Sequence, residues 1–202
     1  MSYLHPSLAA VLTLLIHGSA VAATLSVSVT DAAGRPLPDA VVMLEPASGR
    51  LPVKPMAGVE VGQAARQFTP AVTVVTVGTP VNFPNHDTVR HHVYSFSPAK
   101  TFELKLYAGV PATPVVFDKP GVAVLGCNIH DQMAAWIVVV DTPHFARTTT
   151  APAHLAGVAP GNYRLKAWHP SLPADVAPPA TPITVGADDQ AATVRLATRA
   201  AP

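Results

Sequence analysis

The sequence has 202 residues, which allows one large domain or two small ones. Charged residues make up 12% of it and the formal net charge is +1, so the composition excludes a broad basic face for nucleic acid and an acidic tail. The 22 prolines and 12 glycines, with many valines and threonines, favour strands and tight turns over helices. We therefore expect an all-β protein with no nucleic-acid partner.

The N-terminus has the features of a secretory signal peptide. Residues 8–16 (LAAVLTLLI) form a short apolar run, and residues 20–22 (AVA) give the small-x-small pattern that signal peptidase reads. A bilayer span needs about 20 apolar residues, and neither this run nor any later segment is long and uncharged enough. We predict a signal peptide over residues 1–23 and a soluble mature protein, without a membrane span, that is periplasmic or secreted.

Strand patterns follow along the rest of the chain. Residues 25–30 (LSVSVT) alternate apolar and polar side chains, as a half-buried strand does. Residues 101–107 (TFELKLY) also alternate, which places Phe102, Leu104 and Leu106 on one face. The other predicted strands lie at 41–46, on both sides of 78–80, and at 89–97, 121–127, 134–141, 161–170 and 192–197.

The only cysteine of the sequence, Cys127, lies in the loop 125–133 (LGCNIHDQM). His130 and Met133 follow it at spacings of three, so a thiol, an imidazole and a thioether share one short loop. An unpaired thiol in an exported protein is exposed to oxidation unless it is buried or bound to metal. Three interpretations are open: a buried structural thiol, a nucleophile activated by His130, and a metal site. The metal site is favoured, because it uses all three side chains and the loop has no glycine-rich oxyanion segment beside it.

A metal site of this type requires a second imidazole. A blue-copper centre has two histidines and a cysteine in a trigonal plane, with a weak axial methionine. The candidates upstream are His86, His91 and His92. Strand alternation separates His91 from the face that carries Arg90 and His92, and the arginine face is the one expected to reach solvent. His91 is therefore the better ligand, and His92 is its main rival. The predicted ligand set is His91, Cys127, His130 and Met133.

Several further motifs surround this loop. They are Phe-x-Pro at 68–70, Val-x-x-Gly-x-x-Val at 75–81, Asn85 ahead of the first histidines, and Cys-x-x-His-x-x-Met at 127–133. With them, the chain from about residue 60 to 141 resembles a cupredoxin of the plastocyanin and amicyanin group. The stretches 91–109 (HHVYSFSPAKTFELKLYAG) and 115–121 (VVFDKPG) are similar to the plastocyanin-like proteins often labelled methylamine utilization proteins.

The resemblance implies a Greek-key cupredoxin β-sandwich over residues 59–141 that holds one type I copper ion. It supports the same four ligands and keeps three residues as alternative ligands or as supports for the ligands: His92, Asn85 and His86. His92 stands where many cupredoxins have an asparagine that ties the ligand loops together. The resemblance also implies that the ring edge of His130 lies near the surface. Ala134 and Ala135 fit either a small apolar docking rim or the core.

The function implied is that of a one-electron carrier, without enzymatic activity, that exchanges electrons with a dehydrogenase or a c-type cytochrome. We expect it to be a monomer. Two alternatives remain: a copper-delivery or copper-storage protein, and a cupredoxin-fold scaffold without a redox role. The absence of a methionine-rich tract in the sequence argues against delivery and storage.

The outer segments carry a second resemblance. Asp-x-x-Gly-x-Pro-Leu at 31–37 and Pro-Gly-x-Tyr-x-Leu at 160–165 are similar to the opening and closing strands of carboxypeptidase-regulatory-like, transthyretin-type β-sandwiches. We predict a discontinuous β-sandwich of residues 24–58 plus 142–198, into which the cupredoxin domain of residues 59–141 is inserted. The alternative is that the flanks are extra strands packed on a single cupredoxin barrel.

Overall fold

The computed structural model describes residues 22–173 and 177–198, so the predicted signal peptide lies almost entirely outside the described residues. All regular elements in these ranges are strands, and the prediction of an all-β protein is confirmed. No helix that is long and apolar enough to cross a membrane occurs in the described residues. The strands are β1 (Ala23–Thr30), β2 (Val41–Pro46), β3 (Val59–Glu60), β4 (Gly62–Ala64), β5 (Gln67–Thr69), β6 (Val72–Thr76), β7 (Thr79–Asn82), β8 (His91–Ser97), β9 (Lys100–Tyr107), β10 (Val115–Phe117), β11 (Gly121–Gly126), β12 (Ala134–Val140), β13 (His144–Arg147), β14 (Ala153–Val158), β15 (Gly161–Trp168), β16 (Ala180–Val185) and β17 (Gln190–Arg195).

Two sheets in the middle of the chain enclose a first hydrophobic core. Their strand orders are β10-β7-β3 and β6-β12-β11-β8-β9. Both sheets contribute buried side chains to one cluster, among them Val81 and Phe117 from the small sheet and Val93, Leu125 and Ile137 from the large one. This part of the chain is therefore a β-sandwich closed by apolar side chains from both sheets.

Strands from the two ends of the chain enclose a second hydrophobic core. Their sheets have the orders β14-β1-β17 and β13-β2-β15-β16. Leu25, Leu44, Leu155 and Leu165 are buried together in this core. The assignment of these strands to a carboxypeptidase-regulatory-like domain of residues 24–58 plus 142–198 stays a prediction, and its first boundary falls one residue inside β1.

Strand β12 faces both cores. Ala135, Ile137 and Val139 belong to the first core, whereas Val138 and Val140 belong to the second. Successive side chains of a strand point to opposite faces, so one continuous apolar run can serve two cores. The strand that follows the cysteine loop is therefore fixed from both sides.

The predicted alternation is confirmed in β1 but is wrong near the end of β9. Buried and half-buried residues alternate along the whole of β1. In β9, Leu104 packs on the first core, but Leu106 is 51% exposed and Tyr107 packs there in its place. His91 pairs with Tyr107, whereas Val93, two residues later in β8, pairs with Leu104, three residues earlier in β9. The strand β9 therefore contains one extra residue at this point. This bulge reverses the alternation and brings Tyr107 opposite His91.

Candidate metal centre

The loop 127–133 connects β11 to β12, which form an antiparallel hairpin. Its two end residues are buried, since Cys127 is 3% exposed and Met133 is 2% exposed. The residues between them are partly or fully exposed, and the Met133 backbone N–H donates to the His130 carbonyl oxygen at 2.9 Å. The hairpin therefore holds the thiol and the thioether inside the first core while His130 reaches the surface.

Strand β8 brings His91 to this loop. His91 is the first residue of the strand, which pairs with β11, and its side chain is fully buried. The Sγ atom of Cys127 lies 3.9 Å from His91 Nδ1 and 3.9 Å from His130 Nδ1. The two imidazole rings have centroids 5.1 Å apart and are tilted by 58°. The structure thus brings three of the four predicted ligands together, with their donor atoms within 4.8 Å of one another.

The distances between these donor atoms fit a metal ion. Bonds to a metal such as zinc are about 2.3 Å long from cysteine sulfur and about 2.0 Å long from histidine nitrogen, about 4.3 Å in sum. The observed separation of 3.9 Å between the sulfur and each nitrogen is smaller, so an ion between them reaches both kinds of donor. A structural thiol requires no imidazole, and a cysteine nucleophile requires only one. Within residues 22–173 and 177–198, no other group of three cysteine, histidine, aspartate or glutamate side chains brings its ligand atoms this close together.

Met133, the fourth predicted ligand, shares the first core with Cys127 and lines the same open cavity of about 450 Å³. Tyr94 and Gly126 also line this cavity. A Cβ atom on Gly126 would lie 2.8 Å from Cζ and Oη of Tyr94, so the tyrosine ring covers the backbone next to Cys127. A side chain at position 126 would therefore require the Tyr94 ring to move away from the backbone. The role of Met133 as an axial ligand stays a prediction.

The imidazole of His91 is hydrogen-bonded on its far side to Asp87. His91 Nε2 lies 2.7 Å from Asp87 Oδ2. The same carboxylate accepts the backbone N–H groups of Ala65 at 2.7 Å and Arg66 at 3.0 Å. The hydrogen bond from the Arg66 backbone, followed by that from His91, lowers the pKa of Asp87 below its usual value. Asp87 is therefore an acceptor for three donors that converge on it.

Asn85 braces the loop that carries Asp87. Its side-chain N–H groups donate to the carbonyl oxygens of Val89 and Tyr107, both at 2.9 Å. Its side-chain oxygen accepts the backbone N–H of Asp87 at 2.9 Å. These bonds engage both ends of the Asn85 amide, so Asn85 supports the loop and is not part of the group formed by His91, Cys127 and His130, which we call the donor cluster. His86 is exposed and likewise stands outside that cluster.

His92 is buried but points away from the donor cluster. Its exposed fraction is 7%, and its ring centroid lies 5.6 Å from that of Tyr94. Its Nε2 atom is 3.0 Å from Glu103 Oε1, at ion-pair distance but outside the geometry of a hydrogen bond. His92 was predicted to lie on the solvent-facing side of the strand, but its neighbours cover it. Arg90, predicted on the same face, is exposed.

A buried polar network lies beside His91. The hydroxyl of Tyr107 donates to the Phe83 carbonyl oxygen at 2.7 Å and accepts a hydrogen bond from the Gln63 side chain. Burial is the main cause that raises the pKa of Tyr107 to about 12, and the charge of the nearby Cys127 adds to it. Tyr107 therefore remains a neutral phenol close to the thiol. Neither Tyr107 nor Asp87 was predicted from the sequence, although Asp87 precedes His91 by only four residues.

The surface beside the centre is partly apolar. His130 is half-buried, and Ile129 next to it is 47% exposed. Ala134 is exposed as well, but Ala135 is 1% exposed and belongs to the first core. Of the two alanines considered for a docking rim, only Ala134 is accessible.

Three of the solved structures that resemble this chain illustrate the likeness: each shares low identity with the chain and covers less than half of its length. A copper-containing nitrite reductase from Thermus scotoductus is 27% identical over 46% of this chain, with a TM-score of 0.38. This chain spans only 24% of that reductase. A purple cupredoxin from Nitrosopumilus maritimus is 21% identical over 41% of this chain and 99% of its own, with a TM-score of 0.36. Amicyanin from Paracoccus versutus is 16% identical over 43% of this chain and 85% of its own, with a TM-score of 0.36.

No family model matches the chain, and no curated protein matches it either. The narrower resemblance to methylamine utilization proteins stays a prediction.

Proposed function

We propose that this chain binds one type I copper ion through His91, Cys127, His130 and Met133 and carries single electrons between redox proteins. The observation that carries the proposal is a buried thiol that faces two imidazole nitrogens, each at 3.9 Å. Two histidines and a cysteine with a weak axial methionine are the ligand set of blue-copper electron-transfer sites. When bound, copper supplies a one-electron couple whose potential depends on the axial ligand and on the surroundings of the sulfur.

The role of the protein is to hold these ligands still. Cys127 and His91 are buried: His91 begins β8 and Cys127 directly follows β11, and both strands pair within the five-stranded sheet. A rigid and preformed ligand set keeps reorganisation small when the oxidation state changes. Four protein ligands leave no open position for a substrate, so the proposal includes no enzymatic reaction.

The accessible part of the centre is the edge of His130. Its half-buried ring lies next to the exposed Ile129 and close in sequence to the exposed Ala134, and these apolar side chains offer contact area to a redox partner. We propose a dehydrogenase or a c-type cytochrome as partner, and a monomer as the working form. From the predicted signal peptide over residues 1–23, we also propose that the protein works in the periplasm or outside the cell. A thiolate held by metal is protected in such an oxidising compartment.

Addition of Cu(II) to the purified metal-free protein tests this proposal. We expect an intense blue thiolate-to-copper absorption that saturates at one copper per chain, together with a narrow copper hyperfine splitting in the electron paramagnetic resonance spectrum. A protein that stays colourless at saturating copper would overturn the proposal.

Redox cycling distinguishes an electron carrier from a delivery or storage protein. The blue band of a carrier should disappear on reduction and return on reoxidation in the presence of a competing chelator, because the buried ligands retain the ion in both states. Loss of copper to the chelator in the reduced state would favour delivery. Retention of copper without a reversible change in the band would favour storage.

Single replacements of His91 and His92 by alanine should have opposite outcomes. His91 faces Cys127 at 3.9 Å, whereas His92 contacts Tyr94 and Glu103. We expect His91→Ala to abolish the blue band and His92→Ala to retain it, as measured by visible absorption at saturating copper. A blue His91→Ala protein would show that the assigned ligand is wrong, and a colourless, folded His92→Ala protein would point to the rival histidine.

A further inference from the structure

We propose that Asp87 is the positioning residue for His91, and that it links this ligand to the turn between β4 and β5. Only the expected effect of Asp87 on copper affinity rests on the proposed copper function. The first step, the orientation of the imidazole by the carboxylate, is a property of the metal-free protein. None of the residues considered around the ligands in the sequence supplies this contact, because Asn85 bonds backbone groups and His86 is exposed.

The hydrogen bond to Asp87 determines which nitrogen of His91 faces the thiol. Asp87 already accepts two backbone N–H groups, from Ala65 and Arg66, and an ionised carboxylate has no hydrogen to donate. In a neutral imidazole the proton therefore resides on Nε2, which is 2.7 Å from Asp87 Oδ2. The lone pair of Nδ1 is then free on the side of Cys127. This is the tautomer that a metal-binding histidine needs, and a carboxylate on the opposite nitrogen is a common way to hold it.

The position of Asp87 is itself fixed by the β4–β5 turn. Ala65 and Arg66 have φ values of 51° and 58°, in the left-handed region that residues other than glycine seldom adopt. This conformation directs both backbone N–H groups at the Asp87 carboxylate, which accepts them at 2.7 and 3.0 Å. The turn stabilises the carboxylate and the carboxylate stabilises the turn. A ligand in the first core is thereby connected to a hairpin about 25 residues earlier in the chain.

The chain contains a matched comparison for this contact. His92 also lies at ion-pair distance from a carboxylate, 3.0 Å from Glu103 Oε1, but its ring is outside the donor cluster and the Glu103 side chain is 48% exposed. Asp87 and Glu103 therefore each contact one of two adjacent histidines. Only the first of these contacts should affect the candidate metal centre.

The tautomer of His91 is measured without metal. In the metal-free protein with ¹⁵N-labelled histidine, at a pH high enough to keep histidine side chains neutral, we expect the His91 resonance, identified by its loss in His91→Ala, to show a proton on Nε2 and none on Nδ1. Asp87→Ala should give a mixture of the two tautomers, and Glu103→Gln should leave the wild-type pattern. A wild-type His91 with its proton on Nδ1, or an Asp87→Ala protein with the wild-type pattern, would overturn the proposal.

Copper affinity is measured in parallel by competition with a chelator of known affinity. Loss of a residue that orients a metal ligand typically lowers metal affinity by about 10–100-fold, and we expect a decrease of this size for Asp87→Ala and none for Glu103→Gln. Asp87→Asn, which keeps one acceptor oxygen, should fall between Asp87→Ala and wild type and serves if Asp87→Ala does not fold. Unchanged affinity in the Asp87 variants would contradict the positioning role. If the wild-type protein binds no copper, the proposed function fails, while the tautomer measurement still decides whether Asp87 orients His91.

Discussion

Cys127→Ser is expected to abolish the blue absorption of the copper-loaded protein while leaving its fold intact. Cys127 is 3% exposed and its sulfur lies 3.9 Å from the nearest nitrogen of both His91 and His130. A serine oxygen occupies nearly the same space, but it lacks the soft thiolate that copper prefers and whose electrons produce the band. Loss of a residue that only supports a ligand lowers metal affinity by up to about 100-fold. Loss of the ligand Cys127 should lower copper affinity by more than this.

Visible absorption, paramagnetic resonance and circular dichroism of the same sample check this result. Met133→Leu is the matched control, because it conserves core volume and removes only the predicted weak axial ligand. We expect the control to stay blue, with a changed reduction potential. A blue Cys127→Ser protein would exclude the thiolate as a ligand. A colourless but folded Met133→Leu protein would show that Met133 contributes more than a weak axial bond.

The location of the centre was predictable because its signals are local. Cys127, His130 and Met133 lie in one loop, and the period of a strand assigned His91 and Val93 to the same inner face, although His92, assigned to the opposite face, is buried as well. His91 and Val93 are both 0% exposed. Periodicity also predicted β1, in which every second residue is buried. Patterns of this kind depend on the backbone of a single strand or loop and need no knowledge of the partner strand.

The surroundings of the centre were not predictable, because they depend on how distant segments pair. Leu106 was expected on the inner face of β9, yet the bulge opposite His91 exposes it and turns Tyr107 inward. Nothing within the TFELKLY segment indicates where the pairing shifts. Asp87 lies only four residues before His91, but the sequence does not indicate that its carboxylate reaches the His91 ring while it also accepts the backbone N–H of Arg66 from another hairpin. Contacts of this kind arise from tertiary structure rather than from local pattern.

Truncation of one buried side chain in either core is expected to destabilise the protein strongly. Ile137 is 0% exposed in the first core, and Leu165 is 2% exposed in the second. Truncation of a fully buried isoleucine or leucine to alanine typically costs about 2–5 kcal/mol, because it removes buried methyl groups and leaves a cavity. We expect Ile137→Ala and Leu165→Ala each to lower the free energy of unfolding by an amount in this range.

Both variants should shift the same transition, because the two cores share β12 and contact each other beside it. Trp136 of β12 and Trp168 of β15 have ring centroids 6.4 Å apart, and Arg147 of β13 donates to the Val72 carbonyl oxygen of β6 at 3.1 Å. The loss of one core removes the packing on one face of β12. The other core then loses its support, so unfolding should be a single cooperative event.

Calorimetry of the metal-free protein distinguishes one cooperative unit from two. We expect one transition in the wild type and one in each variant, with equal calorimetric and van't Hoff enthalpies. Val116→Ala, which truncates an apolar side chain that is 44% exposed, is the control and should change the free energy of unfolding by no more than about 0.5 kcal/mol. If Leu165→Ala instead produces a separate early transition and leaves the later one at its wild-type temperature, the flanking strands fold as an independent unit. In that case the contacts of Val138 and Val140 with the second core add little to the stability of the first core, which carries the candidate metal centre.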